Sequence, residues 1–113
     1  MGQNAFASCK SLKKIILPKQ LKYVNKSAFY DCVSLEETYL TSIREIYSEA
    51  FSGCEKLKSI HLYCDDANLM NVSPDAFNCV DTETCVLYVP SGSRWSYRHH
   101  QIFGMFKNIV IER

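Results

Sequence analysis

One short phrase recurs along this chain. Ala5-Phe6-Ala7-Ser8-Cys9-Lys10-Ser11-Leu12 returns as Ala28-Phe29-Tyr30-Asp31-Cys32-Val33-Ser34-Leu35, and again as Ala50-Phe51-Ser52-Gly53-Cys54-Glu55-Lys56-Leu57. A fourth start, Ala76-Phe77-Asn78-Cys79, is one residue tighter and then degenerates. The Ala-Phe pairs lie 23, 22 and 26 residues apart. A period in the twenties restricts the chain to a stack of like units, a solenoid.

The rest of each unit follows from its apolar spacing. After each Leu comes a short alternating run: Ile15-Ile16-Leu17, Thr38-Tyr39-Leu40, Ile60-His61-Leu62 and Leu87-Tyr88-Val89. Apolar residues at i and i+2 are the period-2 signal of a strand. Pro18 and Pro90 close two of the runs, where a missing N–H is tolerated. A second apolar pair follows, three residues apart: Leu21 and Val24, Ile43 and Ile46, Leu69 and Val72. No such unit buries its apolar face alone, but stacked units do.

The pattern Ala-Phe-x-x-Cys-x-x-Leu-x-x-Ile-x-Leu-Pro-x-x-Leu-x-x-Val resembles the BspA-like, or Treponema-type, leucine-rich repeats over roughly residues 1–90. Leu87-Tyr88-Val89-Pro90-Ser91-Gly92-Ser93, then Tyr97 and Phe106-Lys107-Asn108-Ile109-Val110, resembles the closing segment of such proteins. The departures are an insertion at Cys64–Asn68 in repeat three, and Thr82 or Thr84 where repeat four should carry Leu. The resemblance implies a right-handed leucine-rich-repeat solenoid of the α/β horseshoe class, with a non-repeat C-terminal cap over 91–113. It also implies a non-enzymatic adhesion module of a secreted or cell-surface bacterial protein, with a host matrix or cell-surface protein as partner.

At 113 residues the chain is expected to form one domain. A formal charge of +1 gives no reason to expect nucleic acid as partner. No apolar run is long enough to span a membrane as a helix. Met1 aligns with Val24, Ile46 and Val72, so the sequence opens in mid-repeat and reads as the C-terminal end of a longer protein. On that reading the strand at Ile15–Leu17 is an open edge. Lys10, Lys13, Lys14, Lys19 and Lys22 surround it, either as a guard against self-association or as the surface of a contact with an earlier repeat.

Cys9, Cys32, Cys54 and Cys79 recur with the repeat and are expected to form one buried column of free thiols. Neighbouring strands are close enough for disulfides, but stacked side chains point the same way. A Cys64–Cys85 link stays open. Asp65 and Asp66 fall short of the six to eight oxygens calcium takes, so the insertion reads as a solvated loop. The sequence has no Cys-x-x-Cys, no His-x-x-x-His, no Gly-rich phosphate loop and no nucleophile elbow, so no metal, cofactor or catalytic residue is expected.

In the tail, Ser93 is placed to cap a helix over Arg94–Phe103 carrying Trp95, His99, Ile102 and Phe103 on one stripe, with Gly104 ending it. Lys107–Ile111 reads as a last strand. Trp95, Tyr97, Phe103 and Phe106 are expected to cover the end of the stack.

If the apolar partners in each strand face inward, the residue between faces out. Ile16, Tyr39, His61 and Tyr88 then form an outward column, with Lys14, Glu37, Ser59 and Val86 beside it. Such a row is a candidate protein-binding face. The same row also fits cross-strand pairs that only stabilise a sheet, in a structural stalk that displays another domain. A thiol-linked function is the third class.

Overall fold

The computed structural model describes residues 2–112, and Met1, expected in the Val24 column, lies outside the described residues. The repeat builds two parallel sheets. β1 (Lys14–Ile16), β3 (Glu37–Leu40), β5 (Ser59–Leu62) and β7 (Val86–Val89) lie side by side in that order. β8 (Asn108–Ile111) adds beyond β7. The second apolar pairs form shorter strands, β2 (Tyr23–Val24), β4 (Glu45–Ile46) and β6 (Asn71–Val72), in a second sheet. The chain alternates between the sheets, so each of the first three repeats adds one strand to each.

The register is that of the sequence alignment. Lys14 pairs with Glu37, Glu37 with Ser59, Ser59 with Val86, and Val86 with Asn108. Inward positions stack like on like, and Leu40, Ile60, Leu62, Leu87 and Val89 are all buried.

A third ladder runs through the turns. Phe29 N–H donates to the carbonyl of Ala50, and Phe51 N–H to that of Ala76, each at 2.8 Å. The rings follow the backbone: Phe6, Phe29, Phe51 and Phe77 stack nearly parallel, with centroids 5.4, 5.2 and 5.4 Å apart. Each turn needs left-handed backbone just before its Cys, at Ser8, Asp31 and Gly53. At Gly53, with φ +83°, an added Cβ would fall 2.0 Å from Asp31 Oδ1, so the Asp31 carboxylate would have to swing aside to admit a side chain.

The structure corrects the reading of the fourth repeat. Cys79 has φ +67°, the position of Gly53 and Asp31, and is exposed. Val80 fills the cysteine place, buried and donating its N–H to Phe77 O as Cys54 does to Phe51 O. The turn geometry sets which residue points in, and the shortened copy shifts the cysteine off that position. The missing Leu is replaced by buried Cys85, and Thr84 is exposed.

The insertion is also more than a solvated loop. Ala67–Leu69 forms a 3-10 turn, capped where Asp66 Oδ1 accepts the N–H of Asn68. This turn swings Leu69 outward to 58% exposure and buries Met70 in its place. Cys64, Ala67 and Met70 are buried there, and the C-terminal segment clasps them. Tyr97 OH donates to Cys64 O at 2.7 Å, and Ala67 N–H donates to Ser96 Oγ at 3.0 Å.

The tail helix is shorter than its stripe suggests. α1 covers Arg94–Arg98, and a 3-10 turn follows at Phe103–Met105. Ser93 holds the cap position, but its hydroxyl donates to Pro90 O at 2.6 Å and makes no cap bond. Trp95 and His99 stack on each other at 4.0 Å on the outside, with Trp95 68% exposed. The cover comes instead from Tyr97, Ile102, Phe103 and Phe106, all buried. Phe106 meets Phe77 edge-on at 5.6 Å and closes the ring ladder. No helix among the described residues is long and apolar enough to cross a membrane.

The ladder predicts unequal costs along its length. Phe51→Ala, with a ring on either side, should cost about 3–5 kcal/mol. Phe6→Ala, 39% exposed with one ring neighbour, should cost about 1 kcal/mol. Urea unfolding of the two variants checks the ranking, and equal losses would remove the ladder from its central role.

Candidate binding face

Strand alternation turns two rows of residues outward on the larger sheet. Lys14, Glu37, Ser59, Val86 and Asn108 pair across it, and so do Ile16, Tyr39, His61, Tyr88 and Val110. All six candidate residues, Ile16, Tyr39, His61, Tyr88, Lys14 and Glu37, therefore come together on one face. They are not alike. Ile16 is 64% exposed at the edge, Tyr39 and Tyr88 are half-buried, and His61 is only 5% exposed although it points outward.

Its neighbours explain that burial. The imidazole is stacked between Tyr39 at 4.0 Å and Tyr88 at 4.7 Å, both nearly parallel to it. Two carboxylates frame its edges. His61 Nδ1 lies 2.9 Å from Glu112 Oε1, within hydrogen-bond distance. Nε2 lies 3.5 Å from Glu37 Oε2, an ion-pair distance without hydrogen-bond geometry, so this buried nitrogen has no hydrogen-bond partner. Glu37 Oε2 accepts instead from Tyr39 OH at 2.8 Å. That bond, then partial burial, pushes the Tyr39 phenol up to about 12. Lys14 Nζ completes the group, 3.9 Å from Glu37 Oε1 and 5.3 Å from the centre of the Tyr39 ring.

Continuing the alternation two residues beyond His61, Tyr88 and Val110 reaches Tyr63, Pro90 and Glu112, each one residue past the end of its strand. With Leu62 and Ser91 they line a cleft of about 420 Å³ beside the aromatic row. Sequence reading missed this third row because it stopped at the strand ends, and the alternation itself was the signal. A second exposed aromatic pair, Tyr23 and Tyr47, lies 5.8 Å apart on β2 and just past β4, in the smaller sheet.

The thiols were the other candidate chemistry. Cys32 Sγ donates to Phe6 O at 3.0 Å and Cys54 Sγ to Phe29 O at 3.2 Å, so each buried thiol caps a carbonyl of the preceding repeat. A cysteine suits this place as a small apolar residue that still carries a donor. All six cysteines are free, including Cys64 and Cys85. Among the described residues, no group of three or more His, Cys, Asp or Glu is placed to hold a metal.

The family model described as "BspA type Leucine rich repeat region (6 copies)" matches residues 1–92, and the chain belongs to that leucine-rich-repeat family. Repeats of this kind are generally non-enzymatic and mediate contact between proteins. No curated protein and no solved structure matches the chain.

Two measurements check the thiols. A thiol reagent at neutral pH should modify exposed Cys79 quickly and half-buried Cys9 more slowly. Cys32, Cys54, Cys64 and Cys85 should react only on unfolding. Burial pushes the Cys54 and Cys85 thiols from an ordinary value of 9.0 up to about 12. Between those values the unfolded chain releases protons that the folded chain keeps, so stability is full below about pH 9 and falls as pH rises. The urea midpoint should therefore drop between about pH 8 and pH 10.5, and an unchanged midpoint would contradict the burial.

Proposed function

We propose that the chain forms one domain over 1–113, a right-handed leucine-rich-repeat solenoid with repeats to about residue 90 and a non-repeat cap from 91 to 113. Parallel strands joined within one sheet cross over right-handedly in nearly all proteins, which supports the hand. On this reading it is a non-enzymatic binding module of a secreted or cell-surface bacterial protein. It recognises a host matrix or cell-surface protein by surface complementarity, with no turnover.

One observation carries the reading. Ile16, Tyr39, His61 and Tyr88 form an unbroken aromatic and apolar row across four parallel strands, bordered by Lys14 and Glu37. Aromatic rings on a rigid sheet give contact area at little entropic cost, as interface hot spots do. A structural stalk is the second reading. It is favoured by the close stacking of Tyr39, His61 and Tyr88, in which the rings spend their faces on one another.

Binding to a panel of extracellular-matrix proteins separates the two. For any protein bound, Tyr39→Ala with Tyr88→Ala should weaken binding about tenfold or more. Tyr23→Ala with Tyr47→Ala, in the smaller sheet, should leave it unchanged. If binding follows Tyr23 and Tyr47 instead, the face is wrongly assigned.

A further inference from the structure

The outward rows carry few charges, Lys14 on β1, Glu37 on β3 and Glu112 just past β8, so the ends of the face differ in sign. At the first end the face has already solved a recognition problem from within. Lys14 places its ammonium over the Tyr39 ring and beside the Glu37 carboxylate. Cation–π attraction and charge act together there on one basic side chain.

At the other end the same two ingredients recur, and among the described residues no lysine or arginine is ion-paired with the carboxylate there. Tyr63, 47% exposed, and Pro90 wall the cleft, and Glu112 sits at its rim. His61 Nδ1 engages Glu112 Oε1 and so fixes the carboxylate in position, while its second oxygen is not used by that bond. The Tyr63 phenol is pushed up by burial first and by the charge of Glu112 second, which places ring and carboxylate in one electrostatic environment.

We infer that the Tyr63–Pro90–Glu112 cleft takes a lysine or arginine side chain presented by a bound protein segment. The inference rests on the strand face being the binding face and adds the chemistry of its anchor. An acidic side chain would meet Glu112 with like charge, and an aliphatic one would strip water from that carboxylate without replacing its hydrogen bonds. A basic side chain lays its apolar stem along Pro90 and Tyr63 and brings its charge to Glu112. The cleft, about 420 Å³, has room for either basic side chain.

Random dodecapeptides displayed on phage, selected on the immobilised full chain, test this. The recovered peptides should be rich in lysine or arginine. Their affinity should fall about fivefold to tenfold on Glu112→Gln, which keeps a hydrogen bond to His61 but not the charge. It should fall comparably on Tyr63→Leu, and hold on Glu55→Gln, which removes a charge from an exposed turn. Peptides that lose affinity on Tyr39→Ala with Tyr88→Ala, yet carry no basic residue or ignore Glu112→Gln, would overturn the cleft and leave the face standing. Basic peptides that weaken on Glu112→Gln but ignore the tyrosine pair would keep the cleft and overturn the aromatic row, and peptides indifferent to all of these variants, or no peptides at all, would overturn both.

Discussion

The stack of phenylalanine rings is the constraint on which the other columns depend. Its centroid spacing of 5.2–5.4 Å is slightly wider than the roughly 4.8 Å between strands. The rings and the two sheets therefore share nearly one pitch, and a residue inserted in one repeat must leave the coil without changing it. That is what the 64–68 insertion does, by folding into a 3-10 turn under α1 while the strands on either side keep register. The left-handed residues in each turn aim the ring inward, and the cysteine thiols of Cys32 and Cys54 tie each turn to the phenylalanine carbonyl before it. The ladder cannot simply stop, since a last exposed ring face would be left to water. Phe106 turns edge-on against Phe77, which satisfies the ring electrostatically and ends the repetition.

Tyr39, His61 and Tyr88 repeat this arrangement on the outside. The same pitch brings their rings face to face, but a ring stack at the surface has edges that meet solvent and charge. Glu112 holds one edge of the imidazole and Glu37 lies 3.5 Å from the other, so the middle of an outward row is closed and its ends remain open. His61 thus belongs to the face as its support. On the proposed reading, contact with another molecule falls to the tyrosines beside it, to Ile16 at the first edge, and to the third row beyond.

Register and strand positions were legible in the sequence because the period fixes them together: one aligned phenylalanine places every strand. The errors came where local backbone overrode residue identity. Cys79 looked like a column member because it is a cysteine, yet the deletion before it moved it onto the left-handed position and handed the buried place to Val80. Leu69 looked like the partner of Val72 at the usual spacing, yet a 3-10 turn rotates it outward and Met70 inward. The i, i+4 pair Trp95 and His99 suggested a longer buried helix, but a helix shows the same spacing on its solvent side, where these two stack on each other. Of the candidate face, the two central rows could be read directly. The burial of His61 could not, because the pairing with Glu112 spans 51 residues and depends on β8 joining beside β7.

The inward columns admit little variation, because each place is fixed by shape and shared with the repeat above. The outward rows carry no such restriction, so charge is free to differ from one end to the other. In this chain that freedom places Lys14 at the β1 end of the outward rows and Glu112 just past β8, with the aromatic row running between them. A surface polarised in this way orients an approaching partner before contact, since opposite ends attract opposite charges over about a Debye length. On the proposed reading, orientation comes from the charge gradient and holding strength from the rings. The side of the face that Lys14 already occupies offers a partner less than the side where Tyr63 and Glu112 stand open.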